Sequence, residues 1–351
     1  MSGAPLRVAV LGGGTVGREV VRAFEAAPER LQIHDGARLE LVGVAVRDIE
    51  RARVRGLPSA LLTDAPAHLV ADPATDVIVE LIGGDEPAHT LIAAALAAGK
   101  SVVTANKHVI AHHGAELEAT ARRTGAALRF EASVGGGIPV LGPLAGDLAA
   151  NRVMSVTGIV NGTTNYILTA MTEERREYAD ALAAAQAAGY AEADPTGDVE
   201  GHDAVNKLIV LARLAFGAWI QPSDVVTIGD DGPGNGRAGI TGVTARDIAD
   251  ARAAGAVIKL LARAERGDDG IVASVLAGRV AADSALGRTA GVINRIEVEA
   301  EPLGTVAFSG PGAGGAATAS AVLGDLLAIA RGAGSTWASL PPPNALVGSG
   351  R

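Results

Sequence analysis

The chain contains no cysteine, which removes disulfides, thiolate nucleophiles and cysteine-ligated zinc from consideration. Aromatic residues make up only 3% of it, so Ala, Val, Leu and Gly must build the cores of a 351-residue protein. That length accommodates two domains. No apolar run free of glycine and charge is long enough to span a membrane. The first residues lack the basic region and long apolar segment of a secretory signal. Basic residues are outnumbered 30 to 39, and a net charge of −9 argues against general nucleic-acid binding. These absences favour a soluble cytoplasmic protein with neither membrane nor nucleic acid as partner.

What is present begins with LRVAVLGGGTVGREVVRAF at residues 6–24. An apolar strand pattern is broken by Gly12, Gly13 and Gly14, and helical spacing follows through Val16, Val20, Val21 and Phe24. Glycines at 12, 14 and 17 permit a tight turn, close approach of a pyrophosphate, and close helix–strand packing. Gly12, Gly14, Thr15, Val16 and Gly17 are therefore the candidate dinucleotide contacts; the alternative is a purely structural turn. Strand-like segments at 39–46, 77–82, 101–104 and 128–130 alternate with helical ones at 86–98 and 114–124. This βαβ rhythm predicts an α/β fold, a Rossmann-like dinucleotide-binding domain with a largely parallel sheet. Gly83-Gly84 and residues 104–107 fall at carboxyl ends of strands, where ligands of such sheets sit.

The second strand is followed by Arg47 and Asp48, with Arg51 and Arg53 close behind. A basic residue here favours the phosphate of NADP, Asp48 keeps NAD open, and a solvated charged loop is the competing reading. Residues 134–150, VGGGIPVLGPLAGDLAA, form either a hinge or a compact turn. Beyond them a strand at 152–158, a helix-rich middle, and strands at 268–280 and 292–301 indicate an α+β second domain. On the helical stretch 204–216, Asp203 and Lys207 share a face four residues apart. A lysine held between an apolar run and an aspartate can donate and recover a proton during carbonyl reduction; an ordinary helix salt bridge is the alternative. Glu192, Asp194, Asp198 and Glu200 concentrate acid just before it, either to receive a substrate ammonium or as a solvated loop. His202, His89 and the group His108/His112/His113 lack a zinc-type spacing. Asp230-Asp231 lacks the oxygen-ligand register of an EF-hand and reads as surface loop.

Taken together, LGGGTVG (11–17), VTANKHVIA (103–111), EASVGGGIP (131–139), GIVNGTTNYIL (158–168), GYAEADPTGDVEGHDAVNKL (189–208) and GPGAGGAATASAVLGDL (310–326) resemble homoserine dehydrogenase. The resemblance implies interconversion of L-homoserine and L-aspartate 4-semialdehyde with NAD or NADP, in threonine, methionine and isoleucine biosynthesis. It implies a nucleotide domain (1–138), a substrate domain (139–309), and a segment (310–331) that returns to the nucleotide domain and a homodimer interface. Residues 332–351, with three consecutive prolines, are expected to form a peripheral tail, and no C-terminal regulatory domain is expected.

By match to the family, Lys207 is the proton donor and acceptor, and Lys107 is a second lysine near both nicotinamide and substrate oxygen. Glu192 meets the substrate amino group, and Asp198 and Asp203 order the substrate–lysine network. Gly162 and Thr163 line the pocket, and Gly314 touches the cofactor. The resemblance also implies a sodium ion held by the Glu131 side chain and the carbonyls of Val134, Gly136 and Ile138. Ala316-Ala317 before Thr318 departs from the family's more usual Pro-Thr-Ala and weakens that local match. Another NAD(P)-dependent amino-acid dehydrogenase accounts for the first domain but not the whole middle. A nonenzymatic dinucleotide sensor leaves both lysines without a purpose.

Overall fold

The computed structural model describes residues 5–26, 31, 38–229, 232–234, 236–268 and 270–343. Asp230-Asp231 lie outside them. The chain divides into two compact units, one of residues 1–145 and 313–341 and the other of residues 146–312 with the end of the chain.

Unit 1 opens with β1 (Leu6–Leu11), α1 (Thr15–Ala26), β2 (Leu39–Ala45), α2 (Ile49–Val54), β3 (Leu62–Thr63) and α3 (Pro66–Ala71). It continues through β4 (Val77–Glu80), α4 (Ala88–Ala97), β5 (Ser101–Thr104), α5 (Lys107–Thr124), β6 (Leu128–Arg129) and α6 (Leu141–Ala145). The six strands are parallel in the order β3-β2-β1-β4-β5-β6. Strand order reverses between β1 and β4, so the loop after β1 opens at the switch point where this architecture receives ligands. Val8 to Leu11 and all four residues of β4 are buried, as strands covered on both faces must be.

Unit 2 contains β7 (Arg152–Ile159), α7 (Gly162–Glu173), α8 (Tyr178–Ala187), α9 (Thr196–Val199), α10 (His202–Phe216) and β8 (Val225–Val226). α11 (Ala245–Ala253), β9 (Ala256–Gly267), β10 (Gly270–Ala281), β11 (Ile293–Glu301) and β12 (Gly304–Pro311) complete it. Its sheet runs β12-β11-β7-β9-β10-β8 and is antiparallel except for the short β8–β10 pair. Along β11, buried Asn294, Ile296, Val298 and Ala300 alternate with more exposed residues, the pattern of a sheet with one face in a core. Helices α7 and α10 lie against this sheet.

The chain then re-enters unit 1 as α12 (Gly315–Ala330). Ala319, Val322 and Leu326 join Val8, Val10, Val20, Val21, Val79 and Val103 in one core cluster. Burying a leucine of this kind contributes roughly 1.5–3 kcal/mol. The stretch that follows is not a peripheral tail over residues 334–340. Thr336 N–H donates to Leu128 O at 3.0 Å, and Leu128 N–H donates to the Ser335 hydroxyl at 3.0 Å. Trp337 is 1% exposed, its ring 5.2 Å from that of Phe130. The physical reason is the edge of β6: its unpaired backbone groups and the Phe130 ring need cover, which this segment supplies. The prolines at 341–343 stop a helix without preventing that pairing.

Candidate active site

In unit 1 the turn after β1 is shaped by two glycines. Gly12 has φ +115°, and a Cβ there would lie 2.5 Å from Leu81 O; a Cβ on Gly17 would lie 1.9 Å from Gly12 O. Both positions exclude any side chain, so the turn presses against the backbone just past β4 on one side and α1 on the other. Gly14 differs. A Cβ on it meets no protein atom within 4 Å, so the chain's own packing does not require its small size. Thr15 and Val16 form the first turn of α1, whose N–H groups suit a pyrophosphate. At the end of β2, Arg47 is exposed, whereas the Asp48 carboxylate is used locally as N-cap of α2, accepting from Arg51 N–H at 2.9 Å.

Lys107 is the first residue of α5, and a buried network holds that start in place. Glu80, fully buried at the end of β4, accepts N–H bonds from Ile82 (2.7 Å) and Gly83 (3.1 Å). The Thr104 hydroxyl donates to its other oxygen at 2.6 Å and accepts from Asn106 N–H at 2.9 Å. The Asn106 amide in turn donates to Gly84 O (2.8 Å) and caps α5 by accepting from Val109 N–H (3.2 Å). This cap explains why α5 starts at Lys107, well before the expected residue 114. Gly314, φ +132°, is N-cap of α12, and a Cβ on the neighbouring Gly315 would lie 2.8 Å from the Thr15 side chain. The start of α12 therefore sits beside the glycine turn. It forms with Ala316-Ala317 in place, and Thr318 N–H closes its first turn on Gly314 O at 2.9 Å.

In unit 2, Lys207 Nζ lies 2.7 Å from Asp203 Oδ2 and donates to Val160 O at 2.6 Å, with the residue 9% exposed. Asn161, N-cap of α7, donates its amide to Asp203 Oδ2 (2.9 Å) and to Asp198 Oδ1 (2.7 Å). Its Oδ1 accepts from Thr164 N–H at 2.8 Å. Asp198, Asp203 and Lys207 are thus brought together through one asparagine that the acidic pattern did not reveal. Its visible signal was an Asn between a strand and a helix, the N-cap position. Gly162 is confined, because a Cβ would come within 3.0 Å of Val292 O, and the Thr163 hydroxyl donates to Tyr190 O at 2.7 Å. Glu192 is exposed, its backbone carbonyl accepting from the Gln186 amide at 3.0 Å. Asp194 is occupied locally: the Thr196 hydroxyl (2.6 Å) and N–H (3.1 Å) donate to it and hold its carboxyl below the usual range. Glu200 lies 3.7 Å from His202.

A second buried lysine in this unit escaped the sequence reading. Lys259, on β9, donates to Asn165 Oδ1 (2.9 Å) and Thr289 O (2.6 Å). Burial pushes its pKa down to about 8, opposed by Glu173.

The glycine-rich stretch after β6 starts at Glu131 and belongs to unit 1 as far as Ala145. One Glu131 oxygen accepts N–H bonds from Val140 (2.7 Å) and Leu141 (2.8 Å), and the other accepts from Gly142 (2.7 Å). Glu131 N–H donates to Asp325, which is also paired with Arg129 at 2.7 Å. Burial raises the pKa of both acids. The N–H bonds oppose this at Glu131, where Asp325 adds to the rise, and Arg129 opposes it at Asp325. Val134, Gly136 and Ile138 are buried, and Gly135 and Gly136 have φ of +72° and +61°.

Among known proteins, residues 12–131 match the family described as "Homoserine dehydrogenase, NAD binding domain", and residues 139–327 match the one described as "Homoserine dehydrogenase". The homoserine dehydrogenase of Mycobacterium tuberculosis is 47% identical over 332 residues, 93% of this chain and 73% of the relative. That of Corynebacterium glutamicum is 44% identical over 352 residues, 97% of this chain and 77% of the relative. In structure, the homoserine dehydrogenase of Thiobacillus denitrificans superposes with a TM-score of 0.86 at 39% identity, over 93% of this chain and 74% of that one. A hyperthermophilic archaeal homoserine dehydrogenase mutant in complex with NADPH superposes with a TM-score of 0.76 at 27% identity, over 93% and 97% of the two chains. The chain belongs to the homoserine dehydrogenase family, NAD(P)-dependent oxidoreductases that interconvert L-homoserine and L-aspartate 4-semialdehyde.

Proposed function

We propose that Lys207 is the proton donor and acceptor of this reaction, and the observation that carries the proposal is its place in the Asp203–Asn161–Asp198 network. A lysine tied to a carboxylate on a largely apolar helix is held in one orientation, which general acid–base chemistry requires. In the reducing direction it protonates the carbonyl oxygen; in the oxidising direction it takes the hydroxyl proton. When bound, the nicotinamide supplies or accepts the hydride. Lys107 is assigned to aligning and polarising the reacting carbonyl. Glu192 is assigned to the substrate ammonium, where its exposed carboxylate pairs by charge, and Asp203 to orienting Lys207. Gly162 and Thr163 are assigned to the pocket lining.

The dinucleotide is proposed to lie on Gly12, Gly14, Thr15, Val16 and Gly17, with Gly314 beside it. NADP is favoured over NAD, because Arg47 is exposed at the end of β2 while Asp48 is engaged as a helix cap. The NADPH complex of an archaeal relative is consistent with this preference.

A sodium ion fits the donor set of Glu131 and the carbonyls of Val134, Gly136 and Ile138. All are hard oxygens, and the Glu131 oxygen that accepts from Gly142 N–H retains acceptor capacity. The ion is assigned no chemical step; its role is to hold the glycine-rich stretch of unit 1 in the geometry that productive hydride transfer needs. A homodimer that uses residues 310–331 and a cytoplasmic location complete the proposal. Among the described residues no helix is long and apolar enough to cross a membrane.

The test is steady-state oxidation of L-homoserine with NAD+ and with NADP+, using the parent and Arg47→Ala. Loss of a charge-assisted phosphate contact should lower kcat/KM for NADP+ by about tenfold or more, with a smaller change for NAD+. Equal losses for the two would place Arg47 in support of the loop instead.

A further inference from the structure

We infer that His89, His113 and Glu116 form a binding site for a zinc-like divalent cation on the α4–α5 face of unit 1. Their separation in sequence hides this set: one histidine stands at the start of α4, and the other two residues stand at i and i+3 on α5. The fold brings one ligand atom from each to within 4.8 Å of the others. His89 Nε2 lies 3.7 Å from Glu116 Oε2, too far for a hydrogen bond. Tetrahedral zinc with bonds of about 2.0–2.1 Å separates its ligand atoms by roughly 3.3–3.4 Å, so the side chains must close in around the ion to bind it.

Two further observations point to a cation. His89 Nε2 is buried and has no hydrogen-bond partner, so one side of its ring has unspent binding capacity. The His89 and His113 rings stack face to face with centroids 3.8 Å apart and 12° between planes, so binding one ion requires the rings to turn until their nitrogen lone pairs converge on it. Each ring also meets a further carboxylate: His89 Nδ1 is 3.3 Å from Glu86 Oε1, and His113 Nε2 is 2.8 Å from Asp85 Oδ1. Such partners fix the orientation of metal-ligating histidines, and either can instead complete the coordination sphere. Two imidazoles with carboxylate suit zinc better than magnesium or calcium, which prefer all-oxygen sites.

The site is separate from the residues assigned to catalysis, although α5 is the helix that starts at Lys107. Occupancy would tie α4 to α5.

The experiment titrates untagged, chelator-treated full-length protein with ZnCl2 by calorimetry and follows thermal unfolding with and without the ion. The parent and His68→Ala, an exposed histidine elsewhere in unit 1, should each bind one Zn2+ at this site and unfold at higher temperature when it is present. His113→Ala should lose that binding event and the rise in Tm. Glu116→Gln should weaken binding by about tenfold or more while unfolding like the parent without metal; its side chain is 65% exposed, so it tests the proposal even if His113→Ala folds poorly. Absence of zinc binding in the parent, or identical stoichiometry and affinity in the parent and Glu116→Gln, would overturn the site.

Discussion

Asp203 Oδ2 is shared: Lys207 Nζ approaches it at 2.7 Å and the Asn161 amide at 2.9 Å, so one carboxylate oxygen orients the lysine and is itself held by the N-cap of α7. Asn161 is thereby a positioning residue with two separable functions. Asn161→Ser keeps a capping oxygen for α7 but removes the amide that joins Asp198 to Asp203. It should melt close to the parent, bind dinucleotide equally well, and lose roughly 10–100-fold in kcat with homoserine. Stopped-flow turnover beside a melting curve makes the comparison; unchanged kcat in a folded variant would remove Asn161 from the machinery.

The glycine turn yields a paired prediction. Gly17→Ala forces a Cβ against Gly12 O, so both stability and dinucleotide binding should fall, stability by about 1–3 kcal/mol. Gly14→Ala meets no protein atom, so its melting curve should match that of the parent while dinucleotide affinity drops about tenfold or more. Fluorescence titration of NADPH reads the second quantity. A Gly14→Ala protein with parental affinity would show that no ligand passes close to this backbone.

Lys259 should make stability depend on alkaline pH. Its folded pKa is about 8, against an ordinary value of 10.5, so between these values the unfolded chain holds more protons than the folded one. The lysine's contribution to stability therefore rises with pH across that window, by up to roughly 3 kcal/mol. Lys259→Met lacks the titration. The stability difference, parent minus variant, should grow between pH 7.5 and pH 10 in urea unfolding; a flat difference would mean that the ammonium is not penalised by burial.

Much of unit 1 was legible because parallel strands covered on both faces read as unbroken apolar runs, as in Val8–Leu11 and Val77–Val79. β9 and β12 were not legible. Lys259, Arg263 and Glu265 interrupt the first, and the second is an exposed edge carrying Gly310 and Pro311 at its end. Of the site, the glycines and the Asp203–Lys207 pair could be read, since turns and i,i+4 spacing are local. The bonds that tie Glu80 to Thr104 and Asn106 to Gly84 could not, because they join residues 24 and 22 positions apart and leave no periodic trace. Trp337 shows the same limit: nothing near it in sequence announces that Phe130 lies beneath it.

The most direct test of the account is single-turnover hydride transfer by Lys207→Ala with saturating L-homoserine and NADP+, followed at the nicotinamide absorbance from neutral to alkaline pH. With its proposed proton shuttle removed but its glycine turn intact, the variant should bind the dinucleotide as the parent does and transfer hydride about 10²–10⁴-fold more slowly. Transfer at close to the parental rate over that pH range would contradict the assignment of Lys207.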